Sequence, residues 1–279
     1  MTENPLSTVE PWNLVAAGYR AELVPIFSKW ARDSFARVSP RPEHRVIDVA
    51  CGPGTVSLLL APQIKEVVAL DFSAGMIAEL QKALDEKGIG NVRARECDCQ
   101  ALDEADRQFD LAFSQFGLIF FPDPDAGLAE LYRVLKPGGK VAVYSWAPLS
   151  ESFAMRLALK ALWTGFPHLR PADEEPRPLI DALSDREMFA EKLKAAGFEQ
   201  VSIEAISHSF PATSARDYWQ GMLRSSAPIS LLKKNTPPEE WQAGEARALA
   251  YLEEVITGPL ELESTALLGV GTRPAEVKK

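Results

Sequence analysis

Apolar residues in the first forty positions recur three and four apart. Val15, Ala16, Tyr19, Leu23, Ile26, Phe27, Trp30 and Ala31 make one helical stripe. Pro25 interrupts the stripe and is expected to split the segment into two helices, because proline has no N–H to donate and its ring clashes with the preceding turn. Pro40 and Pro42 end it. The pattern then changes to short apolar runs alternating with amphipathic helices. Residues 45–50 read as a strand that stops at Gly52-Pro53-Gly54, 55–60 as a helix, and 67–70 as a second strand ending at Asp71. Ser73 caps the next helix, which carries Met76, Ile77, Leu80, Ala83 and Leu84 on one face and closes at Gly88. Residues 92–97 and 109–114 read as the third and fourth strands. Leu128, Leu131, Tyr132 and Leu135 form a helical stripe, and Pro137-Gly138-Gly139 turns the chain into a fifth strand at 140–146.

Beyond Trp146 the alternation breaks. Residues 147–178 start apolar and helical, then become Pro-rich and acidic. Residues 184–196 read as a helix with a capping box from Ser184 and Glu187, followed by Gly197. A sixth strand is expected at 201–209, helices at 215–232 and 238–256, a last strand at 260–270 and a frayed tail at 275–279. This order predicts an α/β fold: a Rossmann-like, seven-stranded, mostly parallel sheet with helices on both faces and an inserted helical cap. The expected organisation is one domain over 1–279. It comprises an N-terminal helical segment at 1–40, a ligand-binding core at 41–146, cap and substrate insertions at 147–258 interleaved with strand six, and a final strand at 259–272. Such sheets bind ligands outside the carboxyl ends of their strands.

Charge narrows the partners. The 279 residues carry 30 Lys and Arg against 39 Asp and Glu, a net charge of −9. No dense basic run occurs, so nucleic acid is not an expected substrate and a small molecule is. Three cysteines, an odd number with two of them one residue apart, do not make a disulfide framework. A reducing, cytoplasmic location is the simpler reading. The N-terminus shows no secretory pattern, and no run of 18 apolar residues marks a membrane span. Oligomeric state stays open at this level.

The strongest local signal is VIDVACGPGTVSLLLA at 46–61: a strand end, glycines, then a helix start. Glycine lets the backbone come close to a ligand, and a helix N-terminus adds free N–H groups. A dinucleotide fingerprint would need a third glycine, which is missing. Asp48 on the strand end suits a cationic group, such as the amine of an amino-acid moiety, better than a phosphate. Asp71, 17 residues after Gly54, is placed to accept hydrogen bonds from ribose hydroxyls.

With these two motifs and three more in order, the chain resembles the class I S-adenosylmethionine (SAM)-dependent methyltransferases. The resemblance is to the methyltransferase type 11 branch that includes the ubiquinone and menaquinone biosynthesis C-methyltransferases, and it spans about residues 12–146. The family's first motif matches D-x-A-C-G-P-G at 48–54, with Ala50 where glycine is usual. The second matches Asp71-Phe72-Ser73 and Met76, the acid on the ribose and the apolar residues beside adenine. In the third, Asp98 and Cys99 take the places that contact the adenine N6 amine and ring. In the fourth, Ser114 and Gln115 fall where the family contacts the methionine part, and 116–122 forms the loop that faces the substrate. The fifth, 135–139, is a structural turn. The resemblance also implies that the segment with Trp12, Ala16 and Tyr19 folds over the cofactor, with Tyr19 either donating to the SAM carboxylate or serving as a core tyrosine. The implied cofactor is SAM, the product S-adenosylhomocysteine (SAH), and the implied cofactor residues are Tyr19, Asp48, Ala50, Gly52, Gly54, Asp71, Phe72, Met76, Asp98, Cys99, Ser114 and Gln115.

The sulfonium already activates the methyl group, so a general base is optional. His208, near the end of strand six, and His168, in the insertion after strand five, are the candidate bases, with a structural role as the competing reading of each. His44 falls at the wrong end of the sheet. Cys97 and Cys99 lack a second ligand pair, so no metal is expected. Two apolar stretches, one with Phe153, Met155, Leu159, Trp163 and Phe166 and one with Tyr218, Trp219, Met222 and Leu223, read as cap core or as the wall for an aromatic or lipophilic acceptor. Arg224 could pair an acidic substrate group or stay solvated. The leading expectation is methyl transfer to oxygen, nitrogen or carbon of a small molecule. The alternatives are a SAM-binding protein of this fold without methyl transfer (a cyclase, a decarboxylase or a silent binding partner) and a nicotinamide oxidoreductase.

Overall fold

The computed structural model describes residues 4–170 and 183–275. The acidic part of the 147–178 stretch from residue 171 onward, and the tail beyond Ala275, lie outside the described residues. Seven strands form one sheet: β1 Arg45–Val49, β2 Glu66–Asp71, β3 Val92–Glu96, β4 Phe109–Gln115, β5 Leu135–Trp146, β6 Glu199–Ala212 and β7 Leu260–Thr272. Their order is β3-β2-β1-β4-β5-β7-β6, as a Rossmann-like sheet requires. β7 runs antiparallel to both neighbours, so β6 points the same way as β1–β5. The inner strands β1, β2 and β4 are buried nearly throughout because both sheet faces are covered.

The register shows which helices cover which face. Tyr144 on β5 donates from its hydroxyl to the Trp30 carbonyl (2.7 Å), which places α1 (Glu10–Val38) on that face. Val143, the next residue, points the other way and is opposite Gly269. A Cβ on Gly269 would stand 2.6 Å from Phe189, so α6 (Arg186–Ala195) lies on the opposite face. Helices α2 (Thr55–Leu60) and α3 (Ala74–Lys87) pack along α1, and α4 (Pro124–Val134) packs beside α6. α3 begins and ends as its sequence dictates: the Ser73 hydroxyl accepts from the Met76 amide (3.1 Å), and Gly88 closes it at φ +64.

β6 and β7 continue past the end of β5. Trp146 pairs at the level of Ala266, but the β6–β7 ladder runs on to Ala212 and Leu260. On this overhang sit α5 (Phe153–Gly165), α7 (Ala215–Ser225), α8 (Ala227–Asn235) and α9 (Pro238–Val255). They share a second apolar cluster that includes Leu157, Phe166, Trp219, Trp241 and Leu252. Glu245 accepts from both indoles of that cluster, Trp219 at 2.8 Å and Trp241 at 3.1 Å.

Four expectations are corrected. Pro25 lies inside an unbroken α1, because the turns before and after it are both anchored, the first against α3, α7 and α8 and the second against the sheet. Leu135 opens β5 rather than extending the α4 stripe. Asp185, not Ser184, caps α6: its carboxylate accepts from the Met188 amide (2.9 Å), and a negative charge suits a helix start. The helix expected at 215–232 is two, broken at Ser226, because Pro228 cannot continue α7 but fits the first turn of α8.

Candidate functional site

The loops that leave β1, β2, β3 and β4 at their carboxyl ends enclose a cleft with a cavity volume of about 270 Å³. Gly52, Asp71, Phe72, Met76, Asp98 and Cys99 line one side, and Gln115, Phe116, Gly117, Phe120, Phe121 and Pro122 the other. Trp12 and Tyr19 of α1 close it from above. A small recess of about 30 Å³, with Tyr19, Asp48, Thr55 and Gln115 in its wall, adjoins it. The structure thus brings Tyr19, Ala50, Gly52, Asp71, Phe72, Met76, Asp98, Cys99 and Gln115 around the cleft and Asp48 onto the recess. Gly54 and Ser114 lie beneath its floor: Gly54 starts α2 at φ +91 against Leu80, and the Ser114 hydroxyl is fully buried.

Asp71 is fixed from behind. Its Oδ2 accepts from the Gly52 amide (2.8 Å) and its Oδ1 from the Ser73 amide (2.9 Å). Burial pushes its carboxyl up to about 6 against the pull of these donors. Asp48 accepts from the Ser57 amide (3.1 Å) and hydroxyl (2.6 Å), and burial pushes it up to about 7. Each carboxyl is therefore poised to ionise when a donor or a cation arrives. Burial, with Asp71 adding to it, also raises the Tyr19 phenol, so that hydroxyl stays a proton donor. Burial raises the Cys99 thiol too, which keeps it a neutral, apolar wall. Asp98 is exposed and held by the Gln100 amide (2.9 Å).

Two buried side-chain atoms have no hydrogen-bond partner among the described residues: Ser114 Oγ and Gln115 Oε1. Buried polar atoms are rarely left so, and of the two only Gln115 lines a cavity where a ligand could meet it. Gln115 faces both cavities while its Nε2 donates to the Phe27 carbonyl (2.9 Å), which ties β4 to α1.

The two nominated histidines are not in this site. His208 Nε2 sits 2.6 Å from Asp33 of α1, and its ring meets the edge of Trp30 at 4.9 Å. Trp30, packed on Phe116 at 6.0 Å, stands between it and the cleft. His168 is exposed beside Phe166. The two apolar stretches of the cap supply none of the cleft wall; Trp219 and Phe166 are core. Arg224 pairs with Glu22 of α1 (2.7 Å). No cluster of His, Cys, Asp and Glu suited to a metal occurs among the described residues. Sequence reasoning gave no role to Asn13, whose Oδ1 accepts from the Ser73 hydroxyl (2.7 Å) and the Gly75 amide (2.9 Å) and so pins α1 over the cleft. A contact between residues sixty positions apart leaves no local signal. Phe116 and Phe120 were legible as part of the fourth motif but not as individual wall residues.

A cleft at the strand ends of a Rossmann-like sheet, with acids after the first two strands and an aromatic loop after the fourth, defines a protein that takes an adenosyl ligand with an amino-acid tail. Comparison with known proteins agrees. A family model described as a methyltransferase domain matches residues 46–139. Demethylmenaquinone methyltransferase from Clavibacter sepedonicus is 34% identical over 179 residues, which covers 62% of this chain and 72% of that protein. Ubiquinone/menaquinone biosynthesis C-methyltransferase UbiE from Xanthomonas campestris is 34% identical over 132 residues, 46% of this chain and 52% of its own. The match spans about half the length of the UbiE proteins. The [4+2]-cyclase SpnF superposes with a TM-score of 0.58 at 20% identity, over 89% of this chain and 81% of its own, a likeness that speaks for the fold alone. The chain belongs to the class I SAM-dependent methyltransferases, on their UbiE-like branch, and SAM is its cofactor.

Proposed function

We propose that the protein transfers the methyl group of SAM to a small aromatic or lipophilic molecule bound against the loop that follows β4. The carrying observation is the two-sided cleft: carboxylates and Gly52 on one wall, four aromatic rings on or facing the other (Trp12, Phe116, Phe120 and Phe121). Asp71 is suited to ribose hydroxyls, Asp98 and Cys99 to the adenine edge, and Asp48, Tyr19 and Gln115 to the amino-acid end in the recess. The partnerless Gln115 Oε1 supports this fit, since a ligand there would give it a partner.

When bound, SAM supplies a methyl on a sulfonium, ready for displacement. The chain's residues contribute position and dryness. Trp12 packs edge-on to Phe120 at 4.7 Å and Phe116 lies flat on Trp146 at 4.1 Å, so rings shield the space between donor and acceptor from water. Holding the two reactants in line lowers the barrier by up to ~7–11 kcal/mol. No histidine or lysine lines the cleft among the described residues, so the nucleophile is best drawn from acceptors that ionise or carry a lone pair themselves. No helix among the described residues is long and apolar enough to cross a membrane. Three free thiols support a reducing, cytoplasmic setting.

Labelled SAM offered with a panel of aromatic and lipophilic acceptors tests the reading. Methylated product that requires Asp71 supports it. SAH binding with no product from any of them would favour the non-transferring alternative.

A further inference from the structure

At the wall of the cleft the loop after β1 meets the loop after β4, and both meet by unusual backbone. Ala50 has φ +53 and Phe116 φ +60, a region that side-chain-bearing residues seldom adopt. The ring holds Phe116 there: it stacks on Trp146 at 4.1 Å and 12° and meets Phe27 at 4.9 Å. The resulting turn brings Gly117 down onto Ala50. A Cβ on Gly117 would stand 2.3 Å from the Ala50 Cβ, and 3.3 and 3.4 Å from Ser114 Oγ and the Ala50 carbonyl. Gly117 itself has φ −93, so space and not conformation demands glycine at this position. One methyl-sized volume is shared between positions 50 and 117, and Ala50 fills it.

We propose that the Ala50 methyl is a positioning contact that sets the height of loop 117–122 over the cofactor end of the cleft. The inference rests on the function proposed above. Ala50 and Gly52 face the cleft on the donor side, and Gly117, Phe120, Phe121 and Pro122 face it on the acceptor side. A methyl packed between the two loops fixes their separation, and with it the distance from donor to acceptor. Glycine at 50 empties the volume and frees the loop. Alanine at 117 overfills it. Making both changes moves the methyl from one loop to the other and leaves only the contacts at 3.3 and 3.4 Å, which small shifts absorb.

The test compares Gly117→Ala, Ala50→Gly and the double variant by SAH titration, thermal midpoint and amide exchange of residues 116–123. Gly117→Ala is expected to weaken SAH binding about tenfold or more, the effect of an overpacked contact. Adding Ala50→Gly should restore most of that loss and of the accompanying drop in midpoint. Ala50→Gly alone should speed exchange within 117–122 about tenfold while α6 and β7 are unchanged. A double variant no better than Gly117→Ala, or a Gly117→Ala indistinguishable from the parent, overturns the proposal. Should the parent fail to bind SAH, the functional reading falls, and the midpoints alone still decide whether the methyl is shared.

Discussion

At the scale of single residues, the site depends on two carboxyls held above the ordinary aspartate range. Asp48 sits at about 7 and Asp71 at about 6, both chiefly through burial. The folded chain therefore keeps protons that the unfolded chain gives up near pH ~4. Each group's contribution to stability is full below about pH 4 and is lost as pH rises through its folded value. Ribose hydroxyls and an ammonium favour the ionised forms, so binding runs the opposite way. SAH affinity is expected to rise from about pH 5 to about pH 8, with net proton release near pH 6. Calorimetry in buffers of different ionisation enthalpy checks the sign, and proton uptake on binding would contradict it. Asp71→Asn keeps the shape but loses the charge; it should weaken SAH binding about 10- to 100-fold, the worth of charge-assisted hydrogen bonds at ~1.5–3 kcal/mol. An unchanged dissociation constant would remove Asp71 from the ribose role.

At the scale of elements, α1 and the cap carry the main departures from local rules. Pro25 interrupts the hydrogen-bond ladder of a helix that tertiary packing nonetheless keeps whole. Pro25→Ala restores a donor and should stabilise the protein by about 1–2 kcal/mol, read as a higher thermal midpoint; a lower midpoint would mean that the kink itself is needed. Trp219 fills the second cluster and is fully buried. Trp219→Ala should cost about 3–5 kcal/mol in denaturant unfolding, and a loss below about 1 kcal/mol would show that the cap is not a packed core. These elements also show what the sequence reveals. Helices α2 and α3 and strands β1 to β4 were legible to within a residue or so, because cap, turn and burial pattern agree locally. The fate of Pro25 was not, because contacts from α3, α7 and α8 decide it. Cap aromatics could not be sorted into core and wall for the same reason: at Trp219 and Phe166 a helical stripe looks alike whichever apolar surface it meets. Of the site, the residues on strand ends were readable because topology fixes where strands end. The placement of His208 was not readable, because the partner that engages it, Asp33, comes from a distant helix.

At the scale of the whole molecule, a parallel sheet aligns four strand ends on one edge, and α1 lies across them. The cofactor wall is built from the loops after β1, β2 and β3, the opposing aromatic wall from the loop after β4, and the roof from Trp12 and Tyr19. Antiparallel β7 lets β6 rejoin the common direction and lifts the cap helices beyond the edge of β5. The cap bears on α1 through α7, where the Arg224 backbone comes so close to Gly18 that a Cβ there would lie 2.0 Å from its carbonyl oxygen. Shape and charge at the cleft thus follow from how far each strand runs. The most direct test of the central claim is a crystal structure with SAH. The account predicts the ribose on Asp71, the adenine beside Cys99 and Asp98, the amino-acid end in the recess of Asp48 and Gln115, and the sulfur facing loop 116–122. SAH bound elsewhere, or in this cleft with its sulfur turned away from that loop, would contradict it.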